Sequence, residues 1–162
     1  MTKAKSPTYI VKFKRRRNKK TDYNKRLKLV KSGKTRAVVR KSNRSILIQF
    51  VNFDSAGDRV LYSFNSLSLN KLFGWNAKRN KYTAYISGLH AGTQAKTKGI
   101  NEFVFDIGRH VPSKGSILFA TLKGLLDAGL KTNVNEEILP NFENIPEEVK
   151  TSIEKVKKSV AK

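Results

Sequence analysis

The sequence predicts an α/β fold. A mixed four-stranded sheet, an antiparallel meander followed by helix–strand–helix, is packed with helices and extended by a basic N-terminal arm and a C-terminal helix. Three observations carry this reading. Three strand-like runs follow one another between residues 36 and 64, separated by turn-rich connections. Two helical segments then flank a fourth strand-like run, the pattern of helices layered on a sheet. Finally, positive charge is concentrated at the front. Residues 1–44 hold 18 Lys+Arg and one acid, Asp22, for a net +17, whereas residues 45–162 hold 16 Lys+Arg and 11 acids, for a net +5. The chain divides accordingly into a basic arm and short helix (1–33), an α/β globule (34–131) and a loop with a C-terminal amphipathic helix (132–162).

Each element has a local reason. Residues 1–20 form the arm. Pro7 discourages regular structure, and Lys12, Lys14, Arg15, Arg16, Arg17, Lys19 and Lys20 form a cationic run. Tyr9 and Phe13 are interleaved with it, either to stack on bases or, the preferred reading, to dock the arm on the globule. Thr21-Asp22 starts a helix by accepting from its first free N–H groups. Tyr23, Leu27 and Val30 fall on one face of that helix and are expected to grip the core, with Lys25, Arg26, Lys28 and Lys31 pointing elsewhere. Ser32-Gly33 ends it. The strands are centred on Val38-Val39, on Ile46 to Phe53, and on Val60 to Phe64, where alternation puts Val60, Tyr62 and Phe64 on one face.

Leu67 to Phe73 is a short helix closed by Gly74. Lys81 to Lys98 is a longer one, with Tyr82, Tyr85, Ile86 and Leu89 on its buried face. Gly88 and Gly92 inside it point to close packing on the sheet, since a glycine there otherwise costs up to about 1 kcal/mol. Glu102 to Ile107 is the fourth strand. Ser116 caps a helix running to about Leu130, with Leu118, Leu122, Leu125 and Leu126 inward. A last helix from about Pro146 to Val160 carries Val149, Ile153, Val156 and Val160 as a stripe, expected to meet the globule.

Composition excludes several functions. The 162 residues include no cysteine and two histidines, which removes disulfides, thiolate chemistry and a His-rich metal centre. No apolar run reaches the roughly 18–20 residues of a bilayer span, and no signal-peptide stretch follows the basic start. The expectation is a soluble intracellular protein without cofactor or metal. A cationic front of this density is stabilised by a polyanion, and nucleic acid is favoured because each neutralised phosphate releases counterions. An anionic membrane is disfavoured, since the basic block lacks an apolar face to insert.

The catalytic candidate is Asp106 with His110, an acid at a strand end near a possible general base. The loop Gly108 to Ser116 lacks the residue order of a nucleotide-binding loop. With Arg109, Lys114 and a helix start it still offers a place for one phosphate. Glu136, Glu137, Glu143, Glu147 and Glu148 follow no calcium-loop spacing and are read as solvated helix ends. An RNA-processing hydrolase and a DNA-compacting protein are the rival readings.

Several motifs resemble, in order, the archaeal/eukaryotic large-subunit ribosomal protein L-eighteen family, called L-five in eukaryotes. They are Arg15-Arg16-Arg17, Lys20-Thr21-Asp22-Tyr23, Arg26-Leu27, Val38-Val39-Arg40 with Ser42-Asn43, Phe73-Gly74-Trp75, and Ala84-Tyr85-Ile86-Ser87-Gly88-Leu89. The most specific is Asp106-Ile107-Gly108 with His110-Val111-Pro112-Ser113-Lys114-Gly115-Ser116, followed by Asp127-Ala128-Gly129-Leu130. The resemblance implies a non-enzymatic constituent of the cytoplasmic large ribosomal subunit. Such a protein binds 5S rRNA, attaches it in the central protuberance, contacts the large-subunit rRNA and lies near a second 5S-binding ribosomal protein. It implies RNA contacts at Arg15, Arg16, Arg17, Thr21, Asp22, Tyr23 and Arg26, joined by Arg40, Ser42 and Asn43. Charge adds Lys12, Lys14, Lys19, Lys20, Lys28, Lys41, Arg44, Arg109 and Lys114 to the expected rRNA-binding set. The sequence departs from longer archaeal relatives after Pro140, where it runs almost directly into Pro146-Glu147-Glu148-Val149.

Overall fold

A computed structural model describes residues 6–142 and 146–160, without the side chains of Glu148, Lys158, Ser159 and Val160. The expected roles of Glu143, Glu148 and Val160 therefore lie outside what is described. Among the described residues, six α-helices and four strands follow in the order α1 (Lys14–Arg17), α2 (Tyr23–Lys31), β1 (Arg36–Lys41), β2 (Ile46–Asn52), β3 (Arg59–Asn65), α3 (Ser68–Phe73), α4 (Lys81–Thr97), β4 (Val104–Asp106), α5 (Ile117–Asp127) and α6 (Glu147–Val160). The sheet order is β3-β2-β1-β4. The meander pairs are antiparallel and β1–β4 is parallel, the mixed sheet expected.

The two faces of the sheet have different fates. Ala37, Val39, Ile46, Ile48, Phe50 and Phe64 are buried with Ile86, Leu89, Leu118 and Leu122, so α4 and α5 close the inner face. Pairing of Arg36 with Val51 and of Val38 with Gln49 places those four residues on the other face. There Arg36, Val38, Arg40, Gln49 and Val51 floor a groove walled by α2. The alternation expected for β3 fails at this point. The register shifts between Phe50 and Val51, so Tyr62 pairs with Phe50 and Phe64 with Ile48, but Val60 pairs with Val51. The bulge turns Val60 out into the groove.

Three other expectations are corrected. Leu27 is 55% exposed and no residue of α2 is buried, so the short helix does not grip the core by Tyr23, Leu27 and Val30. Burial on α4 is not confined to one stripe, because α4 packs against the sheet, α5 and α6. It includes Thr83, Ala84, Ser87, His90, Ala91 and Ala95, whereas Tyr82 and Tyr85 are only partly buried, their rings 5.9 and 5.1 Å from that of Phe142. The helix glycines serve helix–helix packing instead of helix–sheet packing. A Cβ on Gly88 would lie 2.3 Å from the Thr121 carbonyl oxygen, and one on Gly124 would lie 2.3 Å from that of Tyr85. By contrast, α6 meets the globule as expected, packing on α4 and α3 with Val149 and Val156 buried.

Candidate nucleic-acid interface

The arm folds into one helical turn. Arg16 and Arg17 donate their backbone N–H groups to the Phe13 carbonyl. The turn is closed by Lys20 N–H to Arg15 O and Lys19 N–H to Arg16 O, at 2.9 and 3.1 Å. This paired closure requires a left-handed residue, usually glycine. Here it is Lys19, at φ 52°. The resulting unit is a knot of cations: Lys14, Arg15, Arg16 and Arg17 in the turn, Lys19 and Lys20 just past it, all exposed.

The residues after the turn organise it. Asp22 caps α2 by accepting from the Asn24 and Lys25 N–H groups. Thr21 Oγ1 accepts from Arg15 Nε at 3.0 Å. The Phe13 and Tyr23 rings lie 6.0 Å apart, but Phe13 stays 76% exposed, so the ring touches α2 without being buried against the globule as expected. Thr21, Asp22 and Tyr23 thus hold the scaffold in shape while the cations around them remain outward. Among the described residues, Lys12, Lys14, Arg15, Arg16, Arg17, Lys19, Lys20, Lys25 and Lys28 have no acid partner.

Beside the arm runs the groove, of about 500 Å³. Arg15, Lys20, Lys25, Lys28 and Arg109 converge on it from the arm, α2 and the β4–α5 connection. Arg109 also closes a smaller recess with Arg16, Thr21, Asp22, Tyr23 and Asn24. Lys114, expected to share a phosphate with Arg109, lines neither the groove nor the recess. The Gly115 N–H donates to the Ile138 carbonyl, and Ser116, expected to cap α5, makes no side-chain cap bond; its hydroxyl is buried without a partner among the described residues.

Arg40 is half-committed to the fold. Its Nη1 donates to the carbonyls of Val39 and Asp106, both at 2.9 Å, and it lies over Gly108, where a Cβ would come 3.0 Å from its Cζ. At the β1–β2 turn, the Ser42 hydroxyl accepts from the Arg44 and Ser45 N–H groups, which leaves Lys41, Asn43 and Arg44 exposed at the turn's surface. The Asp106–His110 pair considered as a catalytic candidate does not form. Asp106 accepts from Gly108 N–H at 2.7 Å and from Arg36 and Arg40 at 3.4 Å, and no hydrogen bond joins it to His110 among the described residues. Desolvation, then Lys41 and Arg40, hold the His110 pKa below its ordinary value. An aspartate partner acts in the opposite direction.

Sequence reading missed Arg36 and Asp58. Arg36 is 4% exposed; its Nη2 donates to Asp58 at 2.6 Å and its Nη1 to Asp106 at 3.4 Å. The alternation Arg36, Val38, Arg40 carried a signal, since it places both guanidiniums on one sheet face. Nothing local marked Asp58, in a loop of turn residues.

Residues 7–102 match the family described as ribosomal large subunit proteins 60S L5 and 50S L18. The chain is 47% identical over 140 residues to large ribosomal subunit protein uL18 of Aeropyrum pernix, across 86% of this chain and 65% of that relative. It is 48% identical over 143 residues to large ribosomal subunit protein uL18 of Korarchaeum cryptofilum, across 88% of this chain and 73% of that one. The chain thus spans about two-thirds to three-quarters of the length of these relatives.

Proposed function

Since the chain belongs to the family of ribosomal large subunit proteins 60S L5 and 50S L18, whose members are structural and not enzymatic, we propose that it binds 5S rRNA and helps attach it to the large ribosomal subunit. In this reading it lies in the central protuberance, also touches the large-subunit rRNA, and neighbours a second 5S-binding protein. The supporting observation is the convergence of Arg15, Lys20, Lys25, Lys28 and Arg109, none with an acid partner among the described residues, on one groove.

The mechanism is adhesion by shape and charge. Duplex RNA presents phosphates, 2′-hydroxyls and a form that side chains read better than its base edges. The cations of the arm and α2 neutralise phosphates, with Lys41 and Arg44 extending the surface to the β1–β2 turn at the strand ends. The globule fixes the direction in which the arm leaves. Thr21, Asp22 and Tyr23 act here chiefly by shaping the arm, and Arg26, Arg40 and Ser42 by shaping the surface behind it.

The test is a titration of 5S rRNA against duplex DNA at two salt concentrations. If about 6–10 phosphates are engaged, affinity falls about 10³–10⁵-fold between roughly 50 and 200 mM salt. 5S rRNA is expected to outcompete DNA throughout. A shallow salt slope refutes the phosphate-dominated mechanism, and equal affinity for DNA favours a DNA-compacting role.

A further inference from the structure

The groove contains an acid that a polyanion-binding surface does not need for attraction. Asp58 Oδ2 accepts from Arg26 of α2 at 2.9 Å and from Arg36 of β1 at 2.6 Å. Arg36 is buried in the sheet and held on its other side by Asp106. A buried guanidinium requires such partners, since an unpaired charge there is strongly destabilising. One carboxylate oxygen therefore joins the sheet to the helix across the groove.

The helix depends on such a join. It has nine residues, none buried, and Leu27 is largely solvent-exposed. Helices shorter than about 12–15 residues are marginal in water without tertiary support. Lys25, Lys28 and Lys31 have no acid partner among the described residues, so Arg26 is the α2 cation tied to the globule by an ion pair.

We propose that Asp58 is a positioning residue: anchored by Arg36, it holds α2 through Arg26 against the outer sheet face and so presents the helix cations in the geometry that RNA requires. This rests on the RNA-binding reading above. Its distinguishing consequence is one of sign. By charge alone, removing an acid from this surface tightens polyanion binding; if Asp58 positions α2, removing it weakens binding.

Asp58→Asn keeps the side-chain shape and removes the charge. Hydrogen exchange in the free protein and 5S rRNA titration at one fixed salt concentration read the two consequences separately. Exchange at residues 26–31 is expected to rise about tenfold while α4 and α5 keep their protection, as for a local opening that leaves the core intact. RNA affinity is expected to fall about tenfold if the docked fraction falls to about a tenth. Unchanged protection of α2, or tighter RNA binding, overturns the proposal. Should Asp58→Asn unfold the core by stranding Arg36, Arg26→Gln breaks only the outer bond. The same rise in exchange at residues 26–31 is then expected, and its absence overturns the proposal. Exchange is read without RNA. If the wild-type protein shows no preference for 5S rRNA over duplex DNA, the RNA reading fails, and the exchange result still judges whether Asp58 docks the helix.

Discussion

His90 shows how a single residue carries a consequence for the whole fold. It is buried on α4 between the rings of Phe64 and Phe73, at 4.6 and 5.6 Å, and its Nδ1 has no hydrogen-bond partner among the described residues. Desolvation lowers its pKa below the ordinary 6.5. The unfolded chain therefore takes up this proton at higher pH than the folded one. The residue's contribution is intact above about pH 6.5 and is lost as pH falls from there through the folded pKa. Urea unfolding at pH 7.5 and 5.5 is expected to show a loss of stability on acidification that His90→Phe reduces. An identical pH dependence in the variant removes His90 as the cause. Glu102, whose carboxyl Lys34 holds below its ordinary value, titrates at lower pH and does not enter this window. In the sequence His90 is one polar residue in a helix; its aromatic surroundings come from α3 and β3, 17 and 26 positions upstream.

Among elements, α4 and α5 are joined most closely. Gly88 and Gly124 let the helices approach until backbone meets backbone: a Cβ on Gly124 would stand 2.3 Å from Tyr85 O and 2.7 Å from Leu89 N. Helix propensity alone favours alanine at such a position by up to about 1 kcal/mol. Packing reverses that sign. Backbone cannot yield as a flexible side-chain end does, so the helices must separate. Gly124→Ala is expected to destabilise the protein by about 3 kcal/mol, seen as a lower urea midpoint with an unchanged slope. A raised midpoint would contradict this contact. The glycines are conspicuous in the sequence, but their partner is not. A residue without a side chain permits close approach from a sheet or a helix alike, and only the crossing of α4 with α5 distinguishes them. The same limit applies to α2. Its apolar spacing correctly predicted a helix, but spacing does not reveal how far that helix stands from the sheet.

At the scale of the molecule, cohesion and charge are separated. The hydrophobic cluster begins at Ala37 and includes Val156, while none of residues 6–20 is buried. Residues 1–20 carry nine Lys+Arg and no acid, so removing them lowers the net charge from +22 to +13. Deletion of residues 1–20 is expected to change unfolding stability by no more than about 0.5 kcal/mol, as for surface changes away from the core. It is also expected to flatten the salt dependence of RNA binding, by about 0.7–0.9 in log–log slope for each phosphate that the arm no longer neutralises. Calorimetry and titration of one preparation measure both. A large loss of stability would mean that the arm belongs to the folded core, and an unchanged salt slope would mean that it does not meet phosphate.

The element order from α2 onward, the meander, the cap at Thr21-Asp22, the cationic front and the family motifs could all be read from the chain, because each is expressed in neighbouring residues or their periodicity; the helical turn α1, inside the arm expected to lack regular structure, could not. The β3 bulge, the groove under α2, the bond from Asp58 to both Arg26 and Arg36, and the α4–α5 contact required the folded molecule. The bonds of Asp58 and Asp106 to Arg26 and Arg36 alone join residues 22 to 70 positions apart. Periodicity states that a side chain is covered; the path of the backbone through space selects what covers it.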